Sequence, residues 1–499
     1  MSRKIALFCA LIGLVAFVAA PAYAEVQNIK ISGDIQSLAV YRNNYDLEDG
    51  RNYWTANQIS EYLAEDSNSF LQSIVRLRID ADLTDNVAAA IRLTNVREWD
   101  NTVTADERDI VLDLAYVTLK EMLYSPLTLV IGRQELLYGS GLIVGPGRFQ
   151  DDFAVLYDDL VPLHGFDAVR AILDYDPWTL DLILVKIEEA EDVADTTAGD
   201  ATDDRDSDVD LYGANLGYRF DQYDAEAEAY LFFKRDENYA LTVTANGSPS
   251  NLRTFTENYV YTLGLRGSAV PLDNLTLRGE IAGQLGHIGD PSAGPDGGDL
   301  ELDREGLMID VSGEYDFADV RFNPIVGVEY LYLSGEEAGV TGDFGAWDPM
   351  YRSRFIGTIR DALENLYTTG DPADTSGWTN QHTIKAMGSL DLGELVDGLS
   401  LDLAYLHYWF DEEPIAGADD DIGDEITMRL AYDYTEDVEF FLDGAWFFPG
   451  DYYADVHRSF YALPGEGNNT GNSAATNVVR NRVSNDTAVS LIGSVKVSF

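Results

Sequence analysis

Along the C-terminal stretch Asp486–Phe499, Thr487, Val489, Leu491, Gly493, Val495, Val497 and Phe499 share one face, and Ala488, Ser490, Ile492, Ser494, Lys496 and Ser498 share the other. A period of two belongs to a strand, because a helix cannot sort its faces that way. A strand that is apolar on one side and mostly polar on the other suits a wall with lipid outside and water inside.

The same period recurs over about eighteen stretches: residues 28–42, 69–82, 86–98, 108–120, 126–138, 165–176, 178–189, 208–220, 224–236, 255–270, 274–288, 304–317, 319–334, 378–391, 398–411, 423–435, 437–449 and 486–499. In 69–82, Leu71, Val75, Leu77 and Ile79 oppose Arg76, Arg78, Asp80 and Asp82. The connections alternate short and long throughout. Leu83–Asp85, Glu121–Ser125, Pro177, Asp221–Tyr223, Pro271–Asp273, Ala318, Leu392–Asp397 and Glu436 are short; the longest of the others cover 43–68, 139–164, 335–377 and 450–485. Tight periplasmic turns and long outer loops mark an outer-membrane barrel, and an even count brings both termini to the turn side. Aromatic residues gather at both strand ends, with Trp178, Phe220, Phe317 and Phe440 near turns and Tyr259, Tyr261, Tyr332 and Trp409 near loops. Two such bands fit two membrane interfaces. The expected fold is all-β: a transmembrane antiparallel β-barrel of about 18 strands, with short periplasmic turns and long extracellular loops. Its lumen is too wide for side chains alone to fill, so water or inserted loops must occupy it.

The N-terminus agrees. Arg3 and Lys4 precede an apolar run from Ile5 to Ala20, and Ala22-Tyr23-Ala24 offers small residues for cleavage. Residues 1–24 read as a secretory signal peptide and 25–499 as a single barrel domain. Cys9, the one cysteine, lies in that signal, so the mature chain has no thiol chemistry. Losing Arg3 and Lys4 takes the net charge from −54 to −56. So acidic a chain repels phosphate backbones, which argues against nucleic acid as a partner.

A charge on the lipid face costs about 2–4 kcal/mol near the midplane, so strand charges belong to the lumen. Alternation turns inward the cations Lys30, Arg76, Arg78, Arg92, Arg170, Arg219, Arg266, Arg278, Lys385 and Arg429, among acids that include Asp113, Asp181, Glu226, Glu280, Asp310, Glu329 and Asp443. A guanidinium matches a planar carboxylate with two hydrogen bonds, so such a lumen suits handing an anion from site to site. Equally, these groups can pair across strands and merely satisfy one another.

Other motifs carry less. Gly139–Gly147 is rich in glycine but lacks the Gly-Lys-Ser/Thr ending of a phosphate loop. It reads as an extracellular loop able to fold tightly, back into the pore included. His164, His287, His382, His407 and His457 are scattered over loops and strand ends and form no His-x-x-x-His pair. The acidic loop Glu188–Asp210, with Asp203, Asp204, Asp206 and Asp208, and the patch Asp296–Asp299 with Glu301 and Asp303 have the oxygen donors that Ca²⁺ takes, without EF-hand spacing. The plainer reading is solvated loops. No catalytic residue, metal site or cofactor is expected beyond that Ca²⁺ option.

Leu129-Val130-Ile131-Gly132-Arg133-Gln134-Glu135-Leu136, followed by Phe166-Asp167-Ala168-Val169-Arg170, resembles the alginate-export family of outer-membrane porins. Members show a Gly-Arg-Gln strand, a loop, then a Phe-Asp-Gly/Ala-Val-Arg strand start. The resemblance implies an 18-stranded, monomeric barrel that passes an anionic polysaccharide or related solute through an arginine-rich constriction. It implies that Arg133, Gln134, Asp167 and Arg170 sit near the narrow part. Strict alternation, however, sets Arg133 beside Leu129 and Ile131 on the lipid side, so a bulge or an interfacial position is needed there.

Together these readings predict a non-enzymatic channel in the cell outer membrane. Its pore-lining residues would be Arg76, Arg78, Arg92, Arg133, Gln134, Asp167, Arg170, Arg266, Arg278 and Arg429. A general diffusion porin is the alternative, and a lipid-hydrolysing barrel a more distant one. Expected partners are outer-membrane lipid and lipopolysaccharide, an anionic saccharide or small organic solute, and the barrel-assembly machinery through the last strand ending in Phe499.

Overall fold

The computed structural model describes residues 28–45, 47, 67–99, 110–146, 160, 165–188, 208–237, 241–244, 252–255, 257–290, 300–336, 343–362, 378–414, 417–455 and 484–499. Residues 1–24, read above as a signal peptide, together with His164, His457, Asp203, Asp204, Asp206 and the loop Asp296–Asp299, lie outside these residues.

Eighteen strands close into one antiparallel barrel. They run Asn28–Asn43, Ser67–Thr84, Val87–Glu98, Val111–Lys120, Leu127–Gln134, Phe166–Asp174, Trp178–Glu188, Val209–Phe220, Ala225–Asp236, Glu257–Leu272, Leu275–Asp290, Leu300–Asp316, Ile325–Leu333, Gln381–Asp391, Leu399–Trp409, Asp421–Thr435, Val438–Pro449 and Ala488–Ser498. Each pairs with the next, and the last pairs with the first from Asp34↔Ser498 to Asn43↔Val489. Phe499 completes the seam: its N–H donates to Gly33 O at 3.0 Å and its carbonyl accepts Gly33 N–H at 2.9 Å. The closed wall has no open edge among the described residues, as a wall in lipid requires.

Every expected stretch holds one strand. The stretch 126–138 is cut short at Gln134, where the chain turns inward. The stretch 319–334 starts only at Ile325, because Phe322 and Asn323 adopt positive φ (68° and 41°) and widen the turn. Two pieces lie outside the barrel wall: a hairpin, Leu241–Thr244 with Leu252–Phe255, and the two residues Asp343–Phe344, parallel to Asp303–Arg304.

The two faces separate along each strand. On Glu257–Leu272, Tyr261, Leu263 and Leu265 are exposed while Val260 and Thr262 are fully buried. The exposed side is the outer wall, and aromatic bands sit at both of its ends. Trp178 packs on Tyr218 and Tyr218 on Phe220 near the turns (ring centroids 4.4 and 4.5 Å); Phe233 stacks on Tyr261 near the loops (4.4 Å).

The hydrophobic core is in the lumen. Inward Phe166, Ile183, Val185, Leu211, Phe232, Met308, Leu331 and Phe447 cluster with Leu136, Ile143, Val144, Trp347 and Ile359, which belong to connections folded into the barrel. A purely polar inner face is therefore confined to part of the lumen. Apolar groups face inward because loops cover them and remove them from water.

Candidate channel lumen and its inward loops

Pleating turns Arg76, Arg78, Arg92, Arg170, Arg266, Arg278 and Arg429 to the inner side. Each takes a carboxylate partner, usually on a neighbouring strand. Arg76 meets Asp34 at 3.5 Å, Arg266 meets Glu226 at 3.1 Å and Glu228 at 2.6 Å, and Arg278 meets Glu314 at 2.9 Å. Arg429 bonds Asp443 through Nε and Nη2 at 2.8 and 3.0 Å, and Arg78 holds Asp80 two residues along its own strand while reaching Tyr116 Oη at 3.1 Å. Arg170 binds Asp181, and Arg92 binds Asp113 at 2.6 Å and Glu135 at 2.9 Å. Asp113 reaches inward next to the inward Leu114 because the register shifts by one residue between Arg92 and Leu93.

Two of the family-like motif's four residues are not in the lumen, which corrects what the resemblance implied. Arg133 registers with Asp167, as Ile131 does with Val169, and Ile131 and Val169 are exposed on the outer wall. Phe166, next to Asp167, is buried and packs edge-on against the lumen residue Tyr351 at 6.0 Å, which fixes the inner side of that strand. Arg133 and Asp167 therefore form a forked ion pair (3.1 and 2.7 Å) on the outside, near the loop end. Gln134 does point inward but is buried. Its amide donates to the carbonyls of Val130, Gly132 and Ala168 at 3.1, 3.2 and 3.1 Å, which braces the backbone rather than facing a passage. Arg170 stays inside.

Alternation cannot read what fills the upper lumen. Leu136–Pro146 and Asp343–Ala362 fold inward and meet: Tyr351 N–H donates to Ile143 O at 2.8 Å, and Ser353 N–H to Gly141 O at 2.9 Å. Wall carboxylates hold both segments. Gly139 and Ser140 N–H groups donate to Glu228 (3.2 Å) and Glu280 (2.8 Å). Arg354 bonds Asp310 at 2.7 Å and also Glu329, while Lys385 Nζ donates to Ile356 O at 2.9 Å. Asp348 receives Lys234 Nζ at 3.3 Å and Asn258 Nδ2 at 2.9 Å. Burial pushes its carboxyl upward, but Lys234 and Arg304 overcome that and hold it well below the usual carboxylate range. Within the second segment, buried Arg352 pairs with Asp361 at 2.9 Å.

Sequence reasoning missed Arg352, Arg354, Lys234 and Asp348. The only signal was two arginines spaced by one residue inside a long connection otherwise read as solvent loop. The glycine-rich stretch does return into the pore, as one of its readings allowed. His287, His382 and His407 are on the outer wall. His382 bonds Tyr330 Oη at 2.8 Å and Asp411 at 3.2 Å, and His407 bonds Asp424 at 3.0 Å. Among the described residues no group of three or more His, Cys, Asp or Glu is placed to hold a metal ion.

On the turn side of Thr358 a cavity of about 580 Å³ opens along the wall, lined by Glu314, Lys385, Met387, Asp402, Arg429 and Asp443. Arg278 and Arg429 remain 41% and 48% exposed although paired, so their outer donors face open lumen. Arg has five N–H donors, and a bidentate carboxylate takes only two.

Solved structures repeat this architecture. OpdO of Pseudomonas aeruginosa aligns over 96% of this chain and 99% of its own, with TM-score 0.51 and 14% identity. OccK11 (OpdR) of that organism aligns over 95% and 97%, with TM-score 0.50 and 13% identity. OccK2 (OpdF) of the same organism, solved in complex with glucuronate, aligns over 95% and 99%, again with TM-score 0.50 and 13% identity. Such low identity shows the fold alone. No curated protein matches the chain in sequence. The family model described as alginate export matches residues 51–460, nearly the whole barrel. With that match and a closed 18-stranded wall, the chain belongs to the alginate export family of outer-membrane channels.

Proposed function

We propose that the channel passes anionic saccharides of the uronate type, as a polysaccharide or its smaller units. The observation that carries this reading is the set of paired but partly exposed guanidinium groups on the inner wall, Arg78, Arg278 and Arg429. Free N–H donors in the guanidinium plane meet an arriving carboxylate, while the resident carboxylate keeps the local charge near neutral. Each contact is then strong enough to admit the solute and weak enough to release it. The family match supports an anionic polysaccharide, and glucuronate bound to OccK2 of Pseudomonas aeruginosa supports a sugar acid. Nothing in the reading calls for covalent chemistry, and family and fold point to a channel rather than an enzyme.

Planar-bilayer recording with glucuronate, a short oligouronate and glucose tests the proposal. Saturable current block by the two acids, weakened in Arg78→Ala/Arg278→Ala/Arg429→Ala, is the expected result. Equal, unsaturable passage of all three solutes contradicts it. That outcome is expected of the second reading, a general diffusion porin. One observation favours it: the cavity presents Glu314, Asp402 and Asp443 against Lys385 and Arg429, an acidic excess that is unfavourable to anions.

A further inference from the structure

We infer that Tyr124 and Tyr175 form an oxidative cross-linking site. There a one-electron oxidant of the peroxidase class joins the two rings as dityrosine and staples together two turns at the periplasmic end of the barrel. The inference rests on the barrel's turn side and is independent of the solute that passes through the lumen.

Adjacent strands bring the two rings together. Leu127–Gln134 pairs with Phe166–Asp174, starting at Leu127↔Leu173, so the connection before the first strand lies beside the one after the second. Backbone bonds hold both in place. Asp174 N–H donates to Pro126 O at 3.2 Å, Leu127 N–H to Tyr124 O at 3.1 Å, and Tyr175 N–H to Trp178 O at 2.8 Å. The hydroxyls of Tyr124 and Tyr175 then meet in a hydrogen bond between residues 51 apart in the chain. Both rings stay accessible, at 47% and 51% exposed. An aromatic rim accounts for tyrosines at the turn end, but it needs only rings among headgroups with their hydroxyls turned to water. Here the hydroxyls are turned to each other.

That contact prepares a coupling reaction. The oxidant takes one electron from each phenol and each hydroxyl gives up its proton, leaving two neutral phenoxyl radicals. Their unpaired spin is shared with the Cε ring carbons beside the oxygen-bearing carbon. One Cε–Cε bond forms, and the hydrogen on each joined carbon moves to its own ring's oxygen, restoring both hydroxyls. The net loss is two electrons and two protons. One hydrogen peroxide takes them up through a haem peroxidase and leaves as two waters. A phenol both donates and accepts, so one hydroxyl can receive the proton that the other gives up. In the product the hydroxyls sit on carbons flanking the new bond, within hydrogen-bonding reach, and they hold that relation here already. Keeping two reactants in the product's arrangement raises their effective concentration far above that of freely diffusing tyrosines. The link also closes a loop around both strands and the inward segment Leu136–Pro146 between them, so the unfolded chain loses freedom that the folded barrel does not have.

The test treats full-length folded protein in detergent with a haem peroxidase and hydrogen peroxide, then maps its peptides by mass spectrometry. The expected product joins the Tyr124 and Tyr175 peptides with the loss of two hydrogen atoms and shows dityrosine fluorescence. Tyr223 and Tyr434 on the same side are more exposed, at 63% each, so they would lead if exposure alone governed the reaction. The Tyr124–Tyr175 link should instead exceed any link through them by about tenfold. Tyr124→Phe and Tyr175→Phe keep the rings, and each should abolish it. Linked barrel should need a higher temperature to unfold on gel electrophoresis than identically treated Tyr175→Phe. A photo-excited ruthenium complex with persulfate, small enough to enter the micelle rim, repeats the test without an enzyme. Absence of the link under both oxidants overturns the inference. So does an equal yield from urea-unfolded chain, or a link found only between differently labelled copies of the protein.

Discussion

Glu425, buried on the strand Asp421–Thr435, accepts the backbone N–H of Arg360 through Oε2 at 3.1 Å. Its other oxygen accepts Thr358 and Ile359 N–H at 2.7 and 3.0 Å. One wall carboxylate thus serves the donors that the short helix Ile359–Ala362 leaves unpaired at its start. A loop threaded through a barrel must find partners for its backbone, and here the wall supplies them.

Glu425→Ala should therefore release this segment. Each buried donor left bare costs about 1–3 kcal/mol, enough to detach a loop. Single-channel current should become larger and noisier; unchanged current would mean that the loop does not limit the passage.

Arg354 bridges Asp310 and Glu329 from the same segment. Removing it strands two mostly buried carboxylates, and breaking such a pair costs about 3–5 kcal/mol. Arg354→Ala should lower the temperature at which the folded barrel unfolds on gel electrophoresis. It should also raise cation over anion permeability, read as a shifted reversal potential in a salt gradient.

Arg76, Arg78 and Arg170 face the lumen, whereas Arg133 faces outward. Changing the first three together to Ala should reduce anion over cation permeability. Arg133→Ala should leave it as in wild type. A reversal potential that moves with Arg133 but not with the triple variant would contradict this placement of the two faces.

Gly139 adopts φ +63°, and an added Cβ would fall 2.3 Å from Glu280 Oε1. Only glycine takes that backbone without strain. Gly139→Ala should push Glu280 off the Ser140 N–H and loosen the first inward segment, seen as faster protease nicking of folded protein within Leu136–Pro146. Wild-type resistance would show that the segment is held elsewhere.

The barrel was legible to within a few residues because lipid on one side imposes period two on every strand. The same rule read the orientation of Arg133 correctly where the family-like motif suggested the passage. It could not say that Gln134 is a backbone brace. Nor could it find Arg354 or Asp348, because their partners are far along the chain: Arg354 meets Asp310 44 residues away, and Asp348 meets Lys234 114 away. Elsewhere the signal was present but easy to misread, as on the strand Trp178–Glu188. Inward Ile183 and Val185 break the polar inner face, and they mark where loops would cover the wall.

By itself the chain's alternation determined the closed wall, its strand count and its two aromatic rims, since all of these follow from local contact with either lipid or water. Only the tertiary structure decided how the lumen is narrowed, which arginines keep open donors and where the motif's charges go. Those outcomes depend on segments remote in sequence meeting inside the cylinder, where each buried donor or charge needs a specific partner.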